Sequence, residues 1–379
     1  MSGRVRVLLC FAAFGAFWGA WGASLPAIQR SAAASDAELG LALLLVGLGA
    51  LLSMRATGAL FDRSARPVTA IAVAIFGVTN ILPALARSPL ELCAALFLLG
   101  VASGAMDVAI NAEAVQEEES TGPLLNLAHA AFSAAVVAFS VFTGLLRAAG
   151  AGPELILGIA GVAQLVVASQ LRSGTSRPRR RATTPARRRL RPAPWLLLLG
   201  ALCAVAYWIE NAWQSWGAVH LERTLEATAA MSALGPAAFA AAAVAGRLAG
   251  QRLARRFSDR LLIAAGGATA AVGTALAATA TSIPVGLLGI VIAGTGCSVC
   301  APTIISLAGA ASPAEERGAA VSTVTTIAYL GFLVGPAAVG GLAGLTSLRT
   351  ALTAVAGLAV LLALSAALAP LPRRPGDRP

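Results

Sequence analysis

Two ionisable side chains stand in this sequence where hydrocarbon is expected. Asp107 lies in the apolar run Met106-Asp-Val-Ala-Ile-Asn111, and His129 lies in the next one, Leu125-Asn126-Leu-Ala-His129. The acidic stretch Glu117-Glu118-Glu119 separates them and reads as a solvated loop. Ionisable groups at membrane depth are costly and rare, and they mark proton relays or solute pathways. Asp107 lies about five residues before the end of its segment and His129 about four after the start of the next, so both reach a similar depth at 1.5 Å per residue. Antiparallel neighbours at equal depth touch. The expectation is a polar patch of Asp107, Asn111, Asn126 and His129, in which Asp107 and His129 exchange a proton and the amides bond a solute. The competing reading is a static pair that locks two helices together.

A second acid, Glu210, is flanked by Trp208, Asn211, Trp213 and Trp216. It falls roughly eight residues from the outer end of its segment, too deep for simple snorkelling. Tryptophans there serve as interfacial anchors or line a cavity. Trp18 and Trp21 share a helical face three residues apart and either stack on a solute ring or pack the bundle. Tyr329 follows Ser322, Thr323, Thr325 and Thr326, whose hydroxyls line a cavity or bond back to their own helix. Five cysteines all fall in apolar segments, which favours neither disulfides nor a metal site. No nucleophile–base pair and no phosphate-binding glycine loop is present, so neither an enzyme nor a cofactor is expected. His220 reads as an outer-loop residue without a role.

The elements that must carry these groups follow from composition. The chain has 379 residues, 58% hydrophobic and 12% charged, and its mean hydropathy is +0.79. Such a chain is a polytopic membrane protein. Its net charge of +11 comes from arginine alone, since lysine is absent. Apolar windows long enough to span fall at 6–28, 38–60, 68–86, 90–112, 125–148, 153–171, 194–218, 229–251, 260–281, 285–310, 317–341 and 348–370. Outer loops then hold Arg30, Arg87, Arg147, Arg223 and Arg349, and the other arginines lie inside, which sets both termini in the cytoplasm.

Residues 172–193 carry nine arginines and no apolar run. They read as a cytoplasmic linker against anionic lipid rather than a nucleic-acid site, because aromatics are not interleaved. The expected organisation is a six-helix bundle over 1–171, the linker over 172–193, a second six-helix bundle over 194–372 and a tail over 373–379. The halves are related in sequence. Trp18-Gly-Ala-Trp21 matches Trp213-Gln-Ser-Trp216, and Arg55-Ala-Thr-Gly58 matches Arg247-Leu-Ala-Gly250. Parallel six-helix repeats are the plan of a large class of secondary transporters.

Gly58-Ala-Leu-Phe-Asp62-Arg63-Ser-Ala-Arg66 resembles the signature loop between the second and third helices of the major facilitator superfamily. The resemblance implies a gate in which Gly58, Asp62, Arg63 and Arg66 latch the cytoplasmic side. In the second half Ala254 takes the acid's place before Arg255 and Arg256. Trp21 to Pro26, Glu38 to Leu44, Met106 to Ala112, Leu125 to Ser133 and Ile327 to Pro336 together resemble a bacterial permease branch related to fucose permease. That resemblance implies a proton-coupling role for Asp107. The branch's acid on the first helix is replaced here by Gly22.

The expectation is therefore an all-α membrane protein of twelve transmembrane helices in two pseudo-symmetric bundles. It moves a small polar solute, sugar-like or another metabolite, by proton-coupled alternating access. Substrate-binding residues are Trp18, Trp21, Asn111, Asn126, Glu210, Asn211, Trp213 and Tyr329. It is expected as a monomer in the bacterial inner membrane, with protons, solute and lipid as partners. Export of a drug or amphipathic metabolite, and a non-transporting sensor, are the rival readings.

Overall fold

The computed structural model describes residues 2–63, 65–171 and 193–372; the side chains of 62–67 lie outside that description, as do the linker and the tail. All regular structure among the described residues is helical. The first half holds α1 (Gly3–Ser31), α2 (Asp36–Arg63), α3 (Ala65–Thr79), α4 (Leu82–Leu85), α5 (Pro89–Thr121), α6 (Leu125–Ala148) and α7 (Pro153–Leu171). The second holds α8 (Pro194–Thr224), α9 (Ala229–Ser232), α10 (Leu234–Leu253), α11 (Asp259–Thr279), α12 (Ile283–Ala310), α13 (Arg317–Leu345) and α14 (Leu348–Leu368). Short α4 continues the path of α3, and α9 precedes α10, so twelve candidate spans result. Starts are written locally. Ser88, Ser258 and Ser347 each accept a backbone N–H of the first turn of α5, α11 and α14.

The chain forms two compact units. One comprises Met1–Arg181 with Leu221–Ala237, the other Ala182–His220 with Ala238–Pro379. The excursion Leu221–Ala237, covering the end of α8 and all of α9, thus belongs to the first unit.

In the first unit α1 is the central helix. It packs along α6, α7 and α5, while α5 packs chiefly along α2. Close approach explains the pairing. A Cβ on Gly15 would collide with the Phe132 carbonyl of α6, and one on Gly100 with the Val46 carbonyl of α2. Side chains reinforce the α1 contacts: Ser140 donates to the Gly19 carbonyl at 3.3 Å and Gln164 to that of Ala13 at 3.1 Å. The Arg4 guanidinium donates to the carbonyls of Thr121, Gly122 and Pro123, placing a cation on the C-terminal end of α5.

In the second unit α8 has the corresponding central place. Asn211 donates to the Phe332 carbonyl, and Trp216 to that of Pro336 at 3.2 Å, both on α13. Trp213 donates to the Thr274 hydroxyl of α11 at 3.1 Å. Cys297 of α12 reaches the Ala206 carbonyl at 3.1 Å. Large apolar side chains such as Leu52, Val78 and Leu90 remain exposed on the helices, as a lipid-facing surface requires.

Two helices run six or more residues past the ends of the apolar windows that announced them. Helix α5 continues to Thr121, so Glu117-Glu118-Glu119 is helical rather than a loop. Glu118 accepts the backbone N–H of Leu125 at 2.9 Å, tying the end of α5 to the start of α6. Helix α8 continues to Thr224, so His220 is not a loop residue. It is fully buried, and its Nε2 donates to the Ala277 carbonyl at 2.9 Å. These bonds satisfy polar groups that a hydropathy window reads as helix ends.

Candidate functional site

Asp107 sits near the middle of α5, and its Oδ1 accepts from the Asn111 amide at 3.1 Å, one turn along the same helix. The longer α5 changes its relation to His129. At 1.5 Å per residue Asp107 lies about 21 Å along the helix from the turn, whereas His129 lies about 6 Å from it. The equal-depth argument for an Asp107–His129 pair therefore fails. The two helices are also not close partners, since α6 packs on α1. The His129 ring meets Phe11 of α1 edge-on, with centroids 5.1 Å apart. Asn126 is exposed at the start of α6. The expected four-residue patch is thus two sites, Asp107 with Asn111 and, near the turn, Asn126 and His129.

The tryptophans divide in the same way. Trp21 is buried and stacks on Phe17 at 6.3 Å; Trp18 meets Phe17 and Phe14 edge-on at 5.3 and 6.2 Å. Phe76 of α3 closes the group against Phe14 and Phe17. Trp213 and Trp216 are fully buried with their indole N–H groups bonded inside the unit. Trp213 is accordingly a packing residue, not a lining one. Asn211 is likewise buried, with its amide on α13 and its carbonyl oxygen accepting from Ser215.

Glu210 lies near the middle of α8, deeper than the eight residues from the outer end that its window implied, because the helix runs on to Thr224. Its Oε1 accepts from Gln214 at 3.1 Å and from Arg247 of α10 at 2.9 Å. Three residues before Glu210, on the same face of α8, lies Tyr207. Tyr207 faces Tyr329 and Phe332 of α13, each with centroids 6.4 Å away. Tyr329 is 41% exposed. Thr323 and Thr326 donate to the carbonyls of Ala319 and Ser322, so these two hydroxyls serve the helix rather than a solute.

The motif begins inside α2, which runs to Arg63; of its expected gating residues only Gly58 has described side-chain surroundings, and a Cβ there would meet nothing within 4 Å. Asp62, Arg63 and Arg66 fall outside the described side chains.

A group that sequence patterns had read only as loop charge forms a dense network in the first unit. Arg147, at the end of α6, has a side chain 4% exposed and pairs with Glu222, 12% exposed. Arg147 donates to both Glu222 oxygens at 2.9 and 3.1 Å, to the Ala23 carbonyl at 2.7 Å and to Ser232 at 3.3 Å. Ser232 in turn donates to Glu222 at 2.8 Å, and Arg30 also pairs with Glu222. Arg223 pairs with Asp36, which accepts from Gln29 at 2.7 Å. The sequence signal was faint: two acids at segment ends, Glu222 adjoining Arg223 and Asp36 six residues after Arg30.

A family model described as Major Facilitator Superfamily matches residues 7–220 and 210–379. An uncharacterized MFS-type transporter of Yersinia pestis is 30% identical, with the match covering 89% of this chain and 88% of that protein. The fold is similar to that of a bacterial homolog of the human lysosomal transporter Spinster, with TM-score 0.80, 17% identity, and 96% and 95% of the two chains covered. It is also similar to a D-xylose-proton symporter, with TM-score 0.70, 13% identity, and 99% and 100% covered.

Proposed function

The chain belongs to the Major Facilitator Superfamily, and from that premise we propose a proton-coupled secondary transporter of a small polar solute, sugar-like or another metabolite, working by alternating access. The family is one of multi-pass membrane transporters, not enzymes, and its partners are small-molecule solutes. The carrying observation is that, among the described residues, each unit holds a carboxylate at mid-helix, Asp107 in α5 and Glu210 in α8, each engaged by a hydrogen-bond donor. Acids at that depth are functional by default. The D-xylose-proton symporter supports coupling to protons and a sugar-like solute.

In this reading Asp107 exchanges the coupling proton while Asn111 steadies its carboxylate. His129 and Asn126 lie on the proton's route at the turn end of α6. Tyr329 and Trp18 contact solute, beside the Glu210–Arg247 pair. Gly58, Asp62, Arg63 and Arg66 form the cytoplasmic latch. The protein works as a monomer in the bacterial inner membrane with both termini inside, the arginine-rich linker against lipid headgroups.

Reconstituted vesicles carrying a pH-sensitive dye test this. Addition of a transported solute acidifies or alkalinises the lumen in step with its flux, and Asp107→Asn reduces gradient-driven accumulation at least about tenfold while solute counterflow survives. Accumulation indifferent both to the pH gradient and to Asp107→Asn overturns the coupling.

A further inference from the structure

The Glu210–Arg247 pair is asymmetric in a way that points to a ligand. Glu210 is 12% exposed and uses one oxygen for both Gln214 and Arg247. Arg247 is 43% exposed and meets Glu210 through Nη2 alone. The bond holds the guanidinium beside the centre of α8 rather than letting it extend toward the end of α10. A guanidinium exposed at that depth faces water and not hydrocarbon, which would penalise it heavily. Guanidinium presents five donors in a planar fork matched to two carboxylate oxygens. A single-point contact to Glu210 leaves most of that fork unused by Glu210 on a side chain that is half-exposed. Tyr207 stands three residues before Glu210 on the same face of α8, and its ring meets those of Tyr329 and Phe332 on α13.

We propose that Arg247 binds the carboxylate of a small organic acid, with Glu210 as the resident counter-ion that occupies the guanidinium when solute is absent and with Tyr207 and Tyr329 against the solute body. This rests on the transport reading and names its solute class. Glu210 and the solute compete for one cation. Removing the charge of Glu210 therefore tightens solute binding, an effect that a purely structural ion pair would not give.

Calorimetric titration of the detergent-purified full chain tests the site, with gluconate, lactate and benzoate as probes, each beside its neutral primary amide. At least one carboxylate binds, and its amide binds on the order of 10- to 100-fold more weakly, the loss expected for a charge-assisted contact. Arg247→Ala loses the same factor, Arg247→Lys recovers part of it, and Glu210→Gln tightens binding severalfold. Elution volume and helical circular dichroism confirm that each variant is folded. Equal binding of acid and amide, unchanged affinity in Arg247→Ala, no tightening in Glu210→Gln, or no carboxylate bound at all overturns the proposal. Vesicle counterflow separates this from the transport reading. Carboxylates bound but never carried would overturn transport and leave the site; a neutral solute carried with no carboxylate bound would overturn the site and leave transport.

Discussion

Two arginine–glutamate pairs divide the molecule. In the first unit Arg147 is buried and makes four bonds, two of them to Glu222. In the second Arg247 is half-exposed and makes one bond to Glu210. A guanidinium whose donors are spent on carbonyl, hydroxyl and both carboxylate oxygens has little left to offer a ligand. Its desolvation is repaid only while every partner is present. The second guanidinium keeps its hydration and its free edge. The difference teaches that pairing alone does not mark function; what decides is how many donors remain and whether water reaches them. The first pair fixes the excursion Leu221–Ala237 within the first unit, and the second keeps a cation available.

The halves also differ at matched register. Trp18 and Trp213, like Trp21 and Trp216, stand 195 positions apart, and by the same offset Gly15 corresponds to Glu210. Gly15 presses its helix onto the Phe132 carbonyl, whereas Glu210 carries a charge to Arg247. The duplicated helix became a packing spine in one unit and a polar-bearing one in the other.

The contrast can be broken by substitution. Glu222→Ala leaves Arg147 buried without its counter-charge and costs about 3–5 kcal/mol, read from chemical denaturation in detergent. Ser232→Ala removes a hydroxyl shared by Arg147 and Glu222 and costs about 1–2 kcal/mol by the same measurement. Glu210→Ala costs less than about 1 kcal/mol, because Arg247 falls back on water. Arg30→Ala changes stability by about 0.5 kcal/mol or less, since its side chain is 57% exposed. An equal loss from Glu210→Ala and Glu222→Ala would erase the distinction between the pairs.

Much of this was legible in sequence. The twelve apolar windows rest on composition and period, which the bilayer imposes directly. The lengths of α5 and α8 were not, because Glu117–Glu119 and His220-Leu-Glu222 end an apolar window while hydrogen bonds carry the helix onward. That shift separated Asp107 from His129 and moved Glu210 to mid-helix. The pairing of α6 with α1 depends on a close backbone approach at Gly15, which no periodicity displays. Arg147, Arg30 and Arg223 read as orientation charges, since their partners lie 75, 192 and 187 residues away. Arg247 was seen only as the counterpart of Arg55, and its bond to Glu210 is a tertiary fact.

The most direct test is the melting temperature of the detergent-solubilised chain with and without a bound carboxylate, compared between Arg147→Ala and Arg247→Ala. Arg147→Ala should melt well below the parent yet keep the ligand-induced rise. Arg247→Ala should melt near the parent and lose that rise. The reverse pattern, with Arg247→Ala unstable and Arg147→Ala unable to respond to ligand, would contradict the account.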